Sequence, residues 1–587
     1  AALNRIFANA PSQILGNLNA NGQVYLINPS GILFGRDAKI NVGGLVASTL
    51  NVDTDLFVNK SIGEAYKNKV LPTSSKDSYA ALRKDDTMGT PNGDQNIVVE
   101  EGASITTKDG GSVTLVGKNV VNAGTVTADG GQAMLIASED RVFLRPSDNS
   151  ELRGFLVEVD TGGTVTNAGT VQSKRGNVTM AGNAVNQNGK AISSTTVSAN
   201  GSITLKAQDK GDVEIGQQVQ DNSLQASRSG KLQLGENSLT DVELELDSVE
   251  KAVDDLAQVP SRITMAGKTI HIKENAKIVA HGGGVTATSR VSPQAVLTNN
   301  TVDNNRLGET VPASSEVATR DDLAYIQMDK GATIDVKGAD ATLDMSRNFV
   351  TLQLYSSELK DSPLQRNGIL KGEAVTVDIR KGTPLADISG AVAAIPKTLA
   401  ERSSAGGEVY LFSQGAVSID DEAKIDISGG VVTYNPGEVQ TTQLLSNGRI
   451  IDISQADPSM IYDGILGVMT RADASKGIVY VRGRAVANRY TEAGYQEGRD
   501  AGSIQIAGNN LQIDGDIVSN TFTGKYQTSS ATQANGGRLT IGSESVLNKQ
   551  VNNLAPNVLL SANAVAQSPV DLVAIEDNFR TELKSQL

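Results

Sequence analysis

Cysteine and tryptophan are absent from this chain of 587 residues, and aromatic residues make up only 4% of it. Without cysteine the chain can form no disulfide and can offer no thiolate ligand to a metal ion. The scarcity of aromatic side chains argues against large bulky cores. No stretch of about 18 consecutive apolar residues occurs, so we predict a protein that does not span a membrane. The formal net charge of −14 argues against a nucleic-acid partner, since phosphates need a basic face.

Glycine is frequent, with 59 residues, and it often begins a short segment of alternating aliphatic residues. The pattern Gly-x-aliphatic-x-aliphatic begins at Gly22, Gly111, Gly176, Gly201, Gly211, Gly230, Gly407, Gly502 and Gly537. A second pattern, Ala-x-Ile, begins at Ala38, Ala103, Ala276, Ala332 and Ala423. Each copy is typical of a turn followed by a short strand with one apolar face.

The spacing of these copies is irregular but favours roughly 20 to 25 residues or multiples of that length, which is typical of a solenoid. We therefore predict an all-β fold: a right-handed parallel β-helix with irregular insertions and one or two short helices. About 25 coils, stacked roughly 4.8 Å apart, would form a rod on the order of 100 Å long. An array of β-sandwich domains is the alternative, and the low aromatic content disfavours it.

A tight turn is predicted within the segment Gly16–Val52, between two runs of alternating apolar residues. The turn consists of Asn28, Pro29, Ser30, Gly31 and Ile32. Pro29 fixes its own φ and Gly31 can take a positive φ, so the chain can reverse direction there.

This segment resembles the secretion domain of filamentous-haemagglutinin-type exoproteins of two-partner secretion, and it is most similar to the high-molecular-weight adhesin type. Further matching pieces are Asn4–Ile6 and Ala47–Leu50. The usual family turn is Asn-Pro-Asn-Gly-Ile, and Ser30 replaces its second Asn. The resemblance implies that residues Asn28–Ile32 are the secretion motif, that they help to form a β-helical secretion domain, and that an outer-membrane partner transporter handles this domain. It also implies a secreted protein associated with the bacterial outer membrane or cell surface.

Departures from the repeat patterns divide the chain into segments. We expect the C-terminal part of the secretion domain in residues 1–65, a loop insertion in 66–93 and β-helix repeats in 94–240. A helical insertion is expected in 241–260, where apolar residues occur at helical spacing. We then expect β-helix with irregular segments in 261–434, an irregular insertion in 435–500, β-helix again in 501–565 and a terminal helix in 566–587. The segment Leu352–Gly415 is also similar, less specifically, to very large haemagglutinin-like outer-membrane proteins.

Clustered carboxylates are the best candidates for catalysis, because an extracellular β-helix that cleaves polysaccharide would need them on one face. The first cluster consists of Asp420, Asp421, Glu422 and Asp426. Alternation with Ile425 and Ile427 directs Asp426 outward. A second candidate pair is Asp335 and Asp340. Both groups are more typical of solvated turns and strand faces, so we predict that the protein is not an enzyme.

Two histidines and two asparagines complete the candidates. His271 and His281 lie ten residues apart without further ligands nearby, so we predict no metal site and no cofactor. Asn122 and Asn167 occupy the same place in two copies of Asn-Ala-Gly-Thr-Val. Asn at equivalent turns of stacked coils predicts a side-chain amide ladder.

The favoured hypothesis is a secreted, rod-like surface adhesin or biofilm-matrix protein that mediates attachment between cells or to a surface. Its partners would be the transporter and a receptor or exopolysaccharide, with self-association into bundles as a further expectation. Two alternatives stay open: the β-helical stalk of a contact-dependent toxin-delivery protein, and an extracellular polysaccharide-active enzyme.

Overall fold

Three long parallel sheets dominate the architecture. The computed structural model of the protein describes residues 1–52, 54, 57, 80–88, 91–146, 154–208, 210–214, 223–253, 260–290, 294–298, 323–355, 357–359, 361–466, 469–473, 478–482, 488–544 and 551–552. The sheets, here called sheet 1, sheet 2 and sheet 3, contain 12, 11 and 11 strands within these residues. Each strand pairs in parallel with the strands of the coils before and after it, as in Gln23–Ile27 with Gly44–Ser48.

Every sheet is built from strands of successive coils. Sheet 1 contains Ala2–Arg5, Gln23–Ile27, Gly44–Ser48, Val113–Gly117, Gln132–Ala137, Asn177–Gly182, Ser202–Ala207, Arg262–Gly267, Gly284–Ser289, Glu408–Ser413, Ser503–Ala507 and Arg538–Ile541. Sheet 2 contains Ser12–Ile14, Ile32–Phe34, Asn96–Val99, Asn119–Asn122, Thr164–Asn167, Ala184–Gln187, Lys231–Leu234, Thr269–Ile272, Tyr325–Met328, Ala416–Ile419 and Asn510–Ile513. Sheet 3 contains Asn17–Asn19, Lys39–Val42, Ser104–Thr107, Thr125–Thr127, Thr170–Ser173, Lys190–Thr195, Leu239–Leu244, Lys277–Val279, Thr333–Asp335, Lys424–Asp426 and Asp516–Val518.

The chain visits sheets 1, 2 and 3 in turn, which confirms the predicted parallel β-helix. Its right-handed winding follows the usual hand of parallel crossover connections and stays a prediction. Sheets 2 and 3 each contain eleven strands, which correspond to a stack on the order of 50 Å long. The expectation of about 25 coils was wrong, because long segments leave the coils between the strands.

The two sequence patterns separate by sheet. All strands that follow the Ala-x-Ile pattern, such as Lys277–Val279 after Ala276, belong to sheet 3. Most strands that follow the glycine pattern belong to sheet 1. The exceptions are Lys231–Leu234, which lies in sheet 2, and Lys210–Glu214, which lies outside the coils in an antiparallel sheet. The apolar residues of both patterns point inward and form one continuous buried core.

The glycine of the first pattern is required by the close approach of neighbouring coils. A Cβ on Gly111 would lie 2.2 Å from the carbonyl oxygen of Gly43. A Cβ on Gly131 would lie 2.0 Å from the carbonyl oxygen of Gly111, and one on Gly176 would lie 2.1 Å from that of Gly131. The four glycines form a column along the axis, which has room only for hydrogen atoms.

Segments that leave neighbouring coils at the same corner pair with each other beside the helix. Between sheets 1 and 2, such segments form an antiparallel sheet of Asn51–Val52, Leu82–Arg83, Arg141–Pro146 and Phe155–Val159. A second antiparallel sheet at this corner contains Lys210–Glu214, Ser223–Ser227 and Gln294–Thr298. The final short pair is Ser543–Glu544 with Val551–Asn552.

Two insertions between sheets 3 and 1, residues 336–407 and 427–502, pack together and form what we call the side module. Its strands are Ala341–Leu343, Phe349–Gln353, Ala374–Asp378, Val431–Tyr434, Gly437–Thr441, Gln443–Ser446, Arg449–Asp452, Gly464–Ile465, Met469–Asp473, Ile478–Arg482, Asn488–Glu492 and Tyr495–Gly498. Its α-helices are Ser389–Ala393 and Leu399–Arg402, and its 3-10 turns are Met345–Asn348, Gln365–Asn367 and Ile453–Gln455; one more 3-10 turn, Asp86–Met88, lies outside it. The side module has its own buried clusters, which contain residues of both insertions.

Several predicted segments differ from the structure. The insertion 435–500 is not irregular, because it consists largely of antiparallel strand pairs. No helix occurs in the described part of 241–260: the strand Leu239–Leu244 enters it, and Ala252 forms an antiparallel bridge with Lys397. The terminal helix 566–587 and most of the loop 66–93 lie outside the described residues.

Among the residues that the structure describes, no helix has both the length and the apolar character needed to cross a membrane.

Candidate functional site

The segment Asn28–Ile32 forms a tight turn between a strand of sheet 1 and a strand of sheet 2. The backbone N–H of Gly31 donates to the carbonyl oxygen of Asn28 at 3.0 Å. The N–H of Ser30 donates to Asn28 Oδ1 at 2.9 Å, so the side chain closes a second, smaller ring. Gly31 has a φ of 116°, a conformation that other residues rarely adopt. The turn predicted from the sequence is therefore present, and its residues are the ones that such a turn requires.

Asn28 joins the turn to the neighbouring coils. Its Nδ2 donates to the carbonyl oxygen of Ala10 at 3.0 Å and to Ser12 Oγ at 2.8 Å, both in the preceding coil. Its backbone N–H donates to the carbonyl oxygen of Ser48 at 2.9 Å, in the following coil. The Ser12 N–H in turn donates to the carbonyl oxygen of Gly31 at 3.0 Å. One asparagine thus fixes the stacking of three successive coils.

The opposite side of the turn is covered by residues 92–96. The N–H of Asn92 donates to Ser30 Oγ at 3.3 Å. A Cβ on Gly31 would lie 2.8 Å from the carbonyl oxygen of Asn96, so no side chain fits there. Asn28 is 0% exposed, Ser30 is 2% exposed and Ile32 is 1% exposed, whereas Pro29 is half-buried. In the folded protein the buried residues of the motif therefore hold the turn in place. Pro29 supplies most of the motif's solvent-exposed surface.

The acidic cluster at 420–426 does not form a convergent set of carboxylates. Ile425 and Ile427 are buried in the core, so Asp426 faces outward as predicted. Asp426 is nevertheless only 8% exposed: Lys424 Nζ donates to its Oδ2 at 2.9 Å and the Ser428 N–H donates to its Oδ1 at 3.0 Å. Burial would raise the pKa of Asp426, but these hydrogen bonds outweigh it and hold that pKa below its usual range. This carboxylate is a local structural anchor.

Nearby, Glu422 forms an ion pair with Lys330 at 2.8 Å. Asp420 accepts a hydrogen bond from Ser418 Oγ at 3.2 Å, and burial raises its pKa. Ser418, Lys330 and Lys424 thus engage Asp420, Glu422 and Asp426 separately. Asp421 is exposed in the turn between them.

Asp335 and Asp340 are held by different groups. His281 Nε2 lies 3.4 Å from Asp335 Oδ2, and the Val431 N–H donates to Asp340 Oδ1 at 2.8 Å. In the register of sheet 3, Asp335 lies opposite Asp426, so the fold brings these two together instead. Burial raises the pKa of Asp335, but His281 and Lys337 together outweigh burial and lower that pKa.

The two histidines have separate acidic partners. His271 Nε2 lies 2.8 Å from both carboxylate oxygens of Asp329, whereas His281 faces Asp335. Within the part of the chain that the structure describes, no group of three or more His, Asp or Glu side chains is arranged to hold a metal ion.

A buried ion network was missed by the sequence analysis. Glu158 accepts from Lys206 Nζ at 2.8 Å and from Arg228 Nη1 at 2.9 Å, and all three side chains are at most 3% exposed. Arg228 Nη1 also donates to Gln208 Oε1 at 2.6 Å. The network attaches the antiparallel strand Phe155–Val159 to sheet 1. Its partners are separated by 48 and 70 residues, so no local pattern could have predicted it.

Comparison with known proteins finds similarity in parts of the chain and in its fold. Residues 1–248 match the family model described as the TPS secretion domain. Two curated relatives, heme/hemopexin-binding proteins of Haemophilus influenzae, are 48% identical over 52 residues; the chain covers 6% of their length, and the match covers 9% of this chain. A solved structure, the secretion domain of HMW1 from Haemophilus influenzae, is similar with a TM-score of 0.43 and 16% identity, over 91% of this chain and 84% of that one. The boundary expected at residue 65 falls inside the matched range.

Proposed function

We propose that the chain is a rod-like surface protein that attaches cells to one another or to a surface. The proposal starts from the premise that residues 1–248 of this two-partner secretion exoprotein are its secretion domain. A secretion domain of this kind implies an outer-membrane transporter as partner and a secreted or cell-surface product. The observation that supports an attachment role is the uninterrupted stack of coils in three parallel sheets. Such a stack is stiff, it holds side structures at fixed positions, and many weak contacts along it add through multivalency.

The secretion motif Asn28–Ile32 acts, in this proposal, through the fold. Its polar side chains are used inside the turn and between coils, so a transporter that met the folded coil would touch mainly Pro29. The motif would favour formation of its own coil and the adjacent coils during secretion, and these coils would template further ones. In the same proposal, the rod binds a receptor or an exopolysaccharide. Rods also associate with one another into bundles.

Secretion and stability can be measured on the same variants to test the role of the motif. Asn28→Ala should lower both the amount of chain secreted in the presence of the transporter and the free energy of unfolding of the purified chain. Asn41→Ala, the matched control, removes an exposed asparagine of the same coil outside the turn and should leave both quantities close to those of the parent chain. Loss of secretion by Asn28→Ala with an unchanged free energy of unfolding would show direct reading by the transporter and would contradict a role through the fold.

Attachment itself is tested by a clean deletion of the whole gene. The deletion strain is scored in parallel for cell–cell attachment, surface attachment and killing of a competing strain. We expect lost attachment with unchanged killing, restored by the gene on a plasmid. Lost killing with intact attachment would instead identify the chain as the shaft of a toxin-delivery protein. Turnover of a polymer by the purified chain, abolished by Asp421→Ala or Asp426→Ala, would identify an enzyme.

A further inference from the structure

The outer face of sheet 1 carries a groove of about 460 Å³. Its floor consists of small residues from two successive coils: Gly44 and Val46 in one, Ser112 and Thr114 in the next. Gly44 has no side chain, so the surface is lowest there. The volume lies within the range of roughly 300 to 1,000 Å³ that small-ligand sites occupy.

Larger side chains of the flanking coils form the walls of the groove. Tyr25 lies opposite Val46 in the strand before the floor, and Met134 lies opposite Thr114 in the strand after it. The backbones of the two walls are three coil steps apart, about 14 Å. Tyr25 and Met134 belong to the apolar cluster on the outside of sheet 1, so the walls offer ring and aliphatic surface to a ligand.

The antiparallel sheet beside the helix adds Leu144 and Phe155 to the apolar part of the lining. The side chain of Gln132, in sheet 1, holds Phe155 in place. Gln132 Nε2 donates to the carbonyl oxygen of Phe155 at 3.0 Å, and the Phe155 N–H donates to Gln132 Oε1 at 2.7 Å. A wall that is already ordered loses little conformational entropy when a ligand binds.

Uncharged polar side chains of the lining keep hydrogen-bonding groups for a ligand. Thr114 is only 5% exposed, and its hydroxyl has no hydrogen-bond partner within the described part of the chain. Gln23 Oε1 accepts from Tyr25 Oη at 3.4 Å, which leaves the Gln23 amide N–H groups to donate. Ser112 Oγ accepts from the Gln132 N–H at 3.3 Å and can still donate its own proton. A nearly buried hydroxyl without a protein partner calls for a ligand or a water.

The lining carries no surplus of either charge. Its charged residues are Lys108 and Asp109, which are adjacent, exposed and of opposite sign. Lys108 Nζ also lies 3.5 Å from Asn21 Oδ1. A lining without a dominant charge favours an uncharged ligand. A purely aliphatic ligand would leave the Thr114 hydroxyl unpaired, whereas a sugar ring offers C–H faces to the walls and hydroxyl groups to the polar side chains.

We infer that this groove binds an uncharged sugar ring of an extracellular glycan. The inference rests on the proposed attachment function and narrows the class of its partner. The C–H face of the ring packs against the apolar wall, and its hydroxyl groups form hydrogen bonds with Gln23, Ser112 and Thr114.

Binding is measured by isothermal titration calorimetry on the full 587-residue chain, with cellohexaose, mannohexaose and chitohexaose as probes. We expect at least one of these neutral hexasaccharides to bind. Thr114→Val removes the hydroxyl while keeping the shape of the side chain, and it should weaken binding about five-fold, the effect of one neutral hydrogen bond. Thr106→Val makes the same exchange on the outer face of sheet 3 in the same coil and should bind within about two-fold of the parent.

A second pair of variants tests the space in the groove. A Cβ on Gly44 would lie 3.2 Å from Gln23 Cγ and 3.4 Å from the carbonyl oxygen of Ser112, so Gly44→Gln places a side chain on the floor with little displacement. It should weaken binding about ten-fold or more, because it occupies the place of the ring. Gly16→Gln adds the same side chain at an exposed turn, where no atom lies within 4 Å of the Cβ, and should leave binding unchanged. Thermal melting of each variant confirms that it is folded.

Other outcomes overturn the inference. No binding of any hexasaccharide, or equal losses in Thr114→Val and Thr106→Val, would remove the groove as a sugar site. Binding of the peptide Ala-Phe-Ala-Phe-Ala without binding of a hexasaccharide would make it a peptide site.

Failure of the groove assignment and failure of the attachment function can be told apart. If the purified chain binds no neutral hexasaccharide while deletion of the gene abolishes attachment, the groove assignment fails and the attachment function stands. If a hexasaccharide binds and the groove variants weaken it while the deletion strain attaches normally, the attachment function fails and the groove assignment stands.

Discussion

The side-chain amide of Asn122 donates to the side-chain carbonyl of Asn167, 2.8 Å away in the next coil of sheet 2. Asn167 continues the arrangement by donating at 2.6 Å to Gln187 Oε1 one coil further on. All three side chains are 0% exposed. The amide ladder predicted from the repeated Asn-Ala-Gly-Thr-Val is confirmed, and Gln187 extends it. Each amide also donates to a backbone carbonyl of the following turn, as Gln187 does to Leu239 at 3.0 Å.

Removal of the central amide should destabilise the coils. Asn167→Ala leaves the Gln187 carbonyl and the Asn122 amide without their side-chain partner inside the core, and unsatisfied buried polar groups cost about 1–3 kcal/mol each. We expect the free energy of unfolding, measured with urea, to fall by about 2–4 kcal/mol. Asn186→Ala is the control, because Asn186 is a half-exposed neighbour with one long hydrogen bond of 3.4 Å to Thr166 Oγ1. If both variants lost a similar free energy of unfolding, the buried ladder would stabilise the coils no more than a half-exposed asparagine does.

The glycine column makes a second, sharper prediction. Gly131→Ala would place a Cβ 2.0 Å from the carbonyl oxygen of Gly111, and neither backbone can move without shifting its coil. We expect the free energy of unfolding to fall by about 1–3 kcal/mol or more, as in other overpacked cores. Thermal melting compares this variant with Gly16→Ala, where no atom lies within 4 Å of the added Cβ. Gly16→Ala should change the free energy of unfolding by less than about 1 kcal/mol. A melting temperature of Gly131→Ala equal to that of the parent would contradict the close approach of the coils.

The repeated coils could be predicted from the sequence because their determinants are local. A glycine that admits a neighbouring backbone and alternating aliphatic residues that fill the core recur at most crossings of sheet 1, as at Gly111 and Gly176. The turn Asn28–Ile32 is local in the same way, since proline, glycine and asparagine set its backbone directly.

The pairing partners could not be predicted, because a strand pattern does not specify which strand lies beside it. Gly201 and Gly211 begin the same pattern, yet Ser202–Ala207 lies in sheet 1 and Lys210–Glu214 pairs antiparallel with Ser223–Ser227. The side module depends on two insertions leaving neighbouring coils at one corner, which is a property of the assembled helix. For the same reason, the hydrogen bond of Arg380 to Glu492 between the two insertions had no signal in the sequence.

The buried network around Glu158 should make stability depend on acid pH. Burial raises the pKa of Glu158, but the charges of Arg228 and Lys206 outweigh it and lower the pKa to about 2 from the usual 4.5. Because the folded pKa is depressed, this stabilisation is present above about pH 4.5 and is lost as the pH falls toward 2. Glu158→Gln should cost about 3–5 kcal/mol at pH 7, since it leaves buried cations without a counter-charge. The cost should shrink in urea unfolding at pH 3.

An exposed pair serves as the control for this network. Glu139 lies 3.3 Å from Lys118, and both side chains are nearly half exposed. Glu139→Gln should cost no more than about 1 kcal/mol, with little change between pH 7 and pH 3, because solvent screens surface ion pairs. If Glu158→Gln and Glu139→Gln behave alike, the network does not hold the antiparallel strand to sheet 1.

Asp241 in sheet 3 predicts the opposite dependence on pH. Burial, with the nearby charge of Glu243, raises its pKa to about 6 from 3.8, although His281 acts in the other direction. The ionised form is therefore disfavoured in the folded state, and stability should rise as the pH falls from about 6 toward 3.8. Asp241→Asn should stabilise the chain by about 1–2 kcal/mol at pH 7, after discounting for partial exposure, and the gain should vanish near pH 4. Asp247→Asn, at an exposed neighbouring position, should change the free energy of unfolding by less than about 0.5 kcal/mol at either pH. Urea unfolding at pH 7 and pH 4 measures these free energies. If Asp241→Asn raised the free energy of unfolding by the same amount at both pH values, Asp241 would be ionised without cost in the folded chain.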